Sequence, residues 1–189
     1  MMTPQQKADH LQAKHGERFA KMMIEAEKLS QLPRNIDSRA NRLYEIIEEI
    51  SVMVEPMAAC KNGCAHCCHQ AVIISSWEAE RIAKFTRKKI NDIPHYDPFS
   101  NTREEMVEKY TGVPCPFLSD KACSIYEVRP TSCRLHWSLA DDDTACDIIN
   151  RPGDRVPYFN LAGLSMTAGF LFISANCNFG DIREFFGEC

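Results

Sequence analysis

Apolar side chains recur at helical spacing twice in the first third of the chain. Leu11, His15, Phe19, Met22, Met23, Ala26 and Leu29 fall three or four residues apart, which predicts a first amphipathic helix that stops before Pro33. Thr3, Pro4 and Gln6 mark its start: the hydroxyl can cap, proline suits the first turn, and Gln6 can complete a capping box. Leu43, Ile46, Ile47, Ile50 and Val54 predict a second helix, with Glu45, Glu48 and Glu49 turned away and Pro56 as its end. The two are expected to form an antiparallel hairpin. The methionines, His10 and His15 are read as part of an ordinary helix face rather than as ligands for a soft metal.

The pattern changes at Cys60. The segment 60–68 reads Cys-Lys-Asn-Gly-Cys-Ala-His-Cys-Cys, with Asn62-Gly63 as a turn between cysteines. A short apolar run at 71–74 reads as a strand, and Ser75 with Glu78 opens a helix expected to run through Ile82, Phe85 and Ile90. Arg87, Lys88 and Lys89 are expected on the solvated face of that helix. A loop broken by Pro94 and Pro98 follows, and Thr102 with Glu105 can start another short helix. From Cys115 to Cys146 periodicity is weak and Pro114, Pro116 and Pro130 interrupt the chain, so this stretch is expected to need an internal staple. The segment 161–172 returns to helix, and Phe185-Phe186 packs a last turn.

Composition narrows the class. The chain has 189 residues, 44% hydrophobic and 25% charged, the balance of a globular protein. A net charge of -4 provides no field for nucleic acid or an anionic membrane. The start of the chain lacks the apolar stretch of a secretory signal, so a cytoplasmic protein is expected. Residues 156–180 carry no formal charge, but their most apolar part, 161–175, is shorter than the ~20 residues a bilayer requires, so a buried core helix is expected there.

Ten cysteines are the exception to this ordinary picture. In a reducing compartment, clustered cysteines more often hold metal than form disulfides. Cys60, Cys64 and Cys67 are spaced so that a short length of backbone can aim three thiolates at one centre, as zinc and iron-sulfur sites require. The same spacing occurs in the cluster motif of radical S-adenosylmethionine enzymes, but that motif belongs to a longer, strand-rich barrel. Further ligands are available at Cys115, Cys123, Cys133 and Cys146, giving a compact knuckle closed by a distant loop. Side chains of the adjacent Cys67 and Cys68 are expected to diverge, so two four-sulfur sites, or one site with a second-shell or bridging sulfur, are both open. Cys177 and Cys189 lie far from the knuckle and are read as small buried hydrophobes. His66, His69 and His136 could replace a sulfur, though each alone reads as a loop histidine; Asp141, Asp142 and Asp143 read as a solvated turn rather than a site for a hard cation.

The cysteine knuckle ending in Cys67-Cys68, Cys115-Pro116-Phe117-Leu118, the run Cys123-Ser124-Ile125-Tyr126-Glu127-Val128-Arg129-Pro130 and Thr131-Ser132-Cys133-Arg134 together resemble a known family. It is the zinc- or iron-chelating CxxCxxCC domain of the YkgJ-type cysteine cluster proteins, and the first spacing here is x3 where that name has x2. The resemblance implies metal chelation. A related group, the flagellin lysine N-methylases, carries a similar cysteine pattern, which implies a metal-dependent protein lysine N-methyltransferase as the alternative function. No glycine-rich loop after a strand marks a methyl-donor site, so that alternative rests on analogy. Arg129 and Arg134, with Tyr126 beside them, are expected either to offset thiolate charge or to bridge backbone carbonyls.

The expectation is therefore a mainly α protein: a small helical domain with a loop-rich, cysteine-ligated metal site and an N-terminal helical hairpin. The hairpin would occupy residues 1–57 and the cysteine-cluster domain 58–189, packed as one unit. The candidate metal ligands are Cys60, Cys64, Cys67, Cys68, Cys115, Cys123, Cys133 and Cys146, holding zinc or iron, with a 4Fe-4S cluster as one form. The role would be structural, metal-handling or redox, with a metal ion as the partner and neither nucleic acid nor membrane.

Overall fold

The computed structural model describes residues 1–32, 35–61, 63–96, 102–151 and 155–187, the side chains of residues 102 and 162 excepted. Pro33, Asn62, Pro98, the Thr102 side chain and Cys189 therefore lie outside the described residues. The described chain is 58% helix and 7% strand, a mainly α protein. It divides into two compact units: residues 1–60, 134–143 and 155–176 form the first, and 61–133, 144–154 and 177–189 the second.

The first unit is built on three helices, α1 (Pro4–Gln31), α2 (Ile36–Val54) and α6 (Ala162–Ser174). α1 begins as the sequence requires, with Thr3 accepting from Gln6 N while the Gln6 side chain accepts from Thr3 N. Leu11, Phe19, Met22, Ala26 and Leu29 are buried along one face, and Leu43, Ile46, Ile47, Ile50 and Val54 along the facing stripe of α2. Charge pairs fix the direction: Arg42 binds Glu25 at 2.7 Å and Arg18 binds Glu49 at 3.2 Å, so one helix is read forwards as the other is read backwards. The hairpin is antiparallel. These exposed pairs set register more than they stabilise.

Two apolar stripes facing each other still leave an open edge, and α6 covers it. Leu164, Ala168, Leu171 and Phe172 are buried on α6, whereas Met166 and Phe170 remain exposed, so it is a core helix with one wet side. No helix among the described residues is long and apolar enough to cross a membrane. Trp137, Leu139 and Phe159 join the same core, and Phe159 packs against Phe19 with ring centroids 5.7 Å apart.

The second unit combines short elements. β1 (Ile73–Ser75) pairs antiparallel with β4 (Phe179–Asp181), α3 (Ser76–Thr86) follows β1, and α7 (Ile182–Phe186) follows β4. Between them lie α4 (Thr102–Tyr110), the small hairpin β2 (Leu118–Ser119) and β3 (Ala122–Cys123), and α5 (Thr131–Arg134) up to Cys133. Ser75 and Glu78 form the expected capping box at the start of α3. The helix stops earlier than its sequence pattern suggests: Arg87 takes a left-handed conformation (φ 60°) and sends its N–H to Ala83 O. Ile90 therefore lies outside the helix, and Arg87, Lys88 and Lys89 are exposed in the loop beyond it rather than on its face. Asp120 and Lys121, both with positive φ, close the β2–β3 turn.

Val72, Ile74, Ala79, Ile82, Phe117, Ile125, Val128, Ile182, Phe185 and Phe186 form the core of this unit, with Cys115, Cys123 and Cys133 packed against it. The aperiodic stretch after Cys115 thus contributes Phe117, Ile125 and Val128 to ordinary packing. Ile47 has no exposure in the first unit. Ile47→Ala should lower stability by about 2–5 kcal/mol through lost transfer energy and a residual cavity, measured by chemical denaturation; a loss well under about 1 kcal/mol would mean that α2 is not packed as described.

Candidate metal centre

The knuckle is a tight turn. Residues His66–His69 form one turn of 3-10 helix, with Cys68 N bonded to Ala65 O and Gln70 N to Cys67 O. Within this turn the Cys67 thiol is coupled to that of its neighbour Cys68. The hydrogen bond to Cys68, burial and the charge of Cys68 together raise the Cys67 pKa far above the ordinary thiol value.

The downstream cysteines are brought to the knuckle by backbone ladders. Cys115 N donates to Cys68 O at 2.8 Å and Gly112 N to His69 O at 2.7 Å, so the segment carrying Cys115 lies alongside the turn carrying Cys67 and Cys68. Cys123 sits on β3 opposite Leu118, and Leu118 N donates back to Cys115 O. Cys133 lies in α5, whose first residue is held by a side chain from α3: Glu78 Oε1 accepts from Thr131 N at 2.8 Å while Glu78 Oε2 binds Ser75. Ser132 Oγ donates to Ile73 O at 2.7 Å on the same short helix. One capping-box glutamate therefore fixes both the start of α3 and the position of Cys133, a second role that the S-x-x-E spacing does not reveal.

Electrostatics shows which thiols share a space. Burial raises Cys133 well above the usual thiol pKa, and the neighbouring Cys67, Cys115 and Cys123 raise it further. Burial pushes Cys115 up to about 11, with Cys123 adding to the shift and Arg183 opposing it. Cys123 is raised by burial and by Cys67. Arg129 opposes the shifts at Cys67, Cys123 and Cys133, so it stands beside those three thiols; it also lies 4.0 Å from the centroid of the Tyr126 ring. Arg134 is used elsewhere: it binds Glu48 at 2.9 Å and lies over the Tyr44 ring in the first unit.

The other candidates are placed differently. Cys64 is half-buried in the loop before the turn. Cys60 belongs to the first unit, where its Sγ donates to His136 O at 3.3 Å and accepts from Ser138 N at 3.4 Å. His136 itself is buried against Tyr158, which depresses its pKa to about 4. Cys146 is buried at the end of a short turn, and His66 stands 3.9 Å from Asp147 nearby. Asp141 pairs with Lys7 at 3.1 Å as part of a solvated segment. Cys177 lies at the start of α3, beside Ser76 and Trp77. Among the described residues, no disulfide joins one cysteine to another.

Among the described residues, no group of three or more His, Cys, Asp and Glu side chains stands in a metal-holding arrangement. The chemistry of the donor set nevertheless fits a thiophilic cation, since Cys115, Cys123 and Cys133 pack against the apolar core and Cys67 acts on both Cys123 and Cys133. A family model described as "Putative zinc- or iron-chelating domain" (CxxCxxCC) matches residues 59–147. That stretch is similar to the CxxCxxCC domain over 89 of the 189 residues. Cys60, Cys64, Cys67 and Cys68 fit its motif. Neither a curated protein nor a solved structure matches the chain. Within the matched stretch, the raised thiol pKa values mean that zinc must displace protons to bind. Zinc added at pH 7 in weak buffer should release protons, and its apparent affinity should rise with pH between 6 and 8; uptake with no proton release would contradict the placement of these thiols.

Proposed function

We propose that the chain is a metal-binding protein in which Cys67, Cys115, Cys123 and Cys133 hold zinc or iron as thiolates, with Cys64 and Cys68 at the edge of the site. The observation that carries this reading is the convergence of these cysteines: Cys115 N bonds to Cys68 O in the knuckle, three of them pack against the same apolar core, and Cys67, Cys115 and Cys123 all act on Cys133. A bound cation compensates the thiolate charges that burial otherwise disfavours. Four sulfurs suit tetrahedral zinc and a four-iron cluster alike. The family description supports zinc or iron chelation in general. Cys146 is a peripheral member of the set, whereas Cys60 is held within the first unit by its bonds to His136 and Ser138.

Each residue around the thiols then has a task. Glu78 holds the α5 backbone so that Cys133 faces the others. Arg129 offsets part of the thiolate charge, and the Cys68 O to Cys115 N bond keeps the knuckle and the Cys115 segment in step. When bound, the ion supplies charge neutralisation and cross-linking, so its role is structural or in metal handling. Clustered cysteines that hold metal suit a reducing compartment such as the cytoplasm.

Elemental and sulfide analysis of anaerobically purified protein tests the proposal and separates zinc from an iron-sulfur cluster. Cys123→Ser and Cys133→Ser should each lose most of the bound metal, whereas Cys177→Ser should retain it. Wild-type protein that arrives metal-free and refuses added zinc and iron would refute the reading, as would equal losses in all three variants.

A further inference from the structure

We propose that Arg183 is the positioning residue of the metal centre, its guanidinium holding the two cysteine-bearing segments, 67–70 and 112–115, in register through their backbone carbonyls. This rests on the reading that the thiols hold metal. Arg183 lies outside the stretch 59–147 that the family description covers, so nothing in that description assigns it.

The geometry is specific. Arg183 Nη2 donates to Cys68 O at 3.1 Å and to Gln70 O at 3.0 Å, both within the knuckle. The same nitrogen donates to Val113 O at 2.6 Å, and Nε reaches that carbonyl at 3.1 Å. Val113 is two residues before Cys115, and Gln70 is three after Cys67. One planar group therefore ties together the backbones on both sides of the shared thiol space.

The guanidinium is itself fixed. Nη1 binds both carboxylate oxygens of Asp181, at 2.9 and 3.1 Å, and Asp181 is fully buried. Asp181 Oδ2 also accepts from Val72 N at 2.7 Å, which locks the carboxylate to the strand that leaves the knuckle. The pair sits at the junction of β4 and α7, where Asp181 caps the helix. A thiolate site tolerates only small errors in sulfur position, so a clasp on the backbone beside Cys68 and Cys115 sets how well the chain is organised before metal arrives. Lysine keeps the charge but cannot place several donors in one plane against three carbonyls and a carboxylate.

The experiment uses the full chain and cobalt(II) as the probe, because its thiolate absorption bands report ligand geometry as well as occupancy. Arg183→Lys is compared with wild type and with Ile82→Val, a core change that lowers stability without touching the clasp. Cobalt affinity is read by chelator competition, and stability by melting the metal-free proteins. Arg183→Lys should bind cobalt about tenfold to a hundredfold more weakly and with shifted bands, while Ile82→Val should bind as wild type does. If Arg183→Lys is unfolded without metal, the rate of cobalt release from the loaded chain is read instead, and faster release than from wild type is expected. Wild-type affinity, bands or release rate in Arg183→Lys would overturn the positioning role, and so would equal weakening by Ile82→Val. A wild-type chain that takes up no cobalt would remove the metal reading and the positioning role with it.

Discussion

Desolvation of several thiols in one place is the constraint on which the second unit depends. Cys67, Cys115, Cys123 and Cys133 are drawn out of water beside an apolar core that includes Phe117, Ile125 and Phe186. As neutral thiols they are tolerable, weakly polar fillers; as thiolates they repel one another at low dielectric. A cation makes the charged form favourable, and the two arginines that act on these thiols, Arg129 and Arg183, bring too little charge to balance four thiolates. The same burial that resists ionisation therefore selects for a ligand that removes protons.

Around that constraint the unit is organised by backbone hydrogen bonds more than by long elements. Its strands are two or three residues long, and none of its helices exceeds the 11 residues of α3. Such pieces are marginal alone. Two buried carboxylates compensate: Glu78 joins α3 to the helix carrying Cys133, and Asp181 with Arg183 joins β4 and α7 to the knuckle. Buried polar groups of this kind are costly unless fully bonded, and both carboxylates here bond to backbone N–H groups as well as to side chains.

Much of the fold was legible because its signals are local. Thr3 with Gln6 and Ser75 with Glu78 announce two helix starts, and the stripes from Leu11 to Leu29 and from Leu43 to Val54 announce the hairpin. The knuckle cysteines Cys60, Cys64, Cys67 and Cys68, which fit the family motif, stand close together in the sequence itself. What escaped is non-local. β4 is three residues long and pairs with β1 more than a hundred positions away, so no periodicity marks it. The Arg183 side chain reaches carbonyls at Cys68, Gln70 and Val113, far away in the chain, and sequence does not distinguish one carbonyl from another. The end of α3 at Arg87 also goes unannounced, because an arginine in the left-handed region replaces the usual glycine stop. Cys60 and Cys64 look equivalent in the knuckle, yet the chain hands Cys60 to the first unit through the His136 and Ser138 backbone.

X-ray absorption at the edge of the bound metal, on protein loaded with one equivalent of zinc or of iron, addresses the thiolate site most directly. A first coordination shell dominated by sulfur at about 2.3 Å is the result expected if the coupled cysteines are the ligands. A shell composed only of nitrogen and oxygen would mean that these buried thiols are core residues and that metal binds elsewhere on the chain.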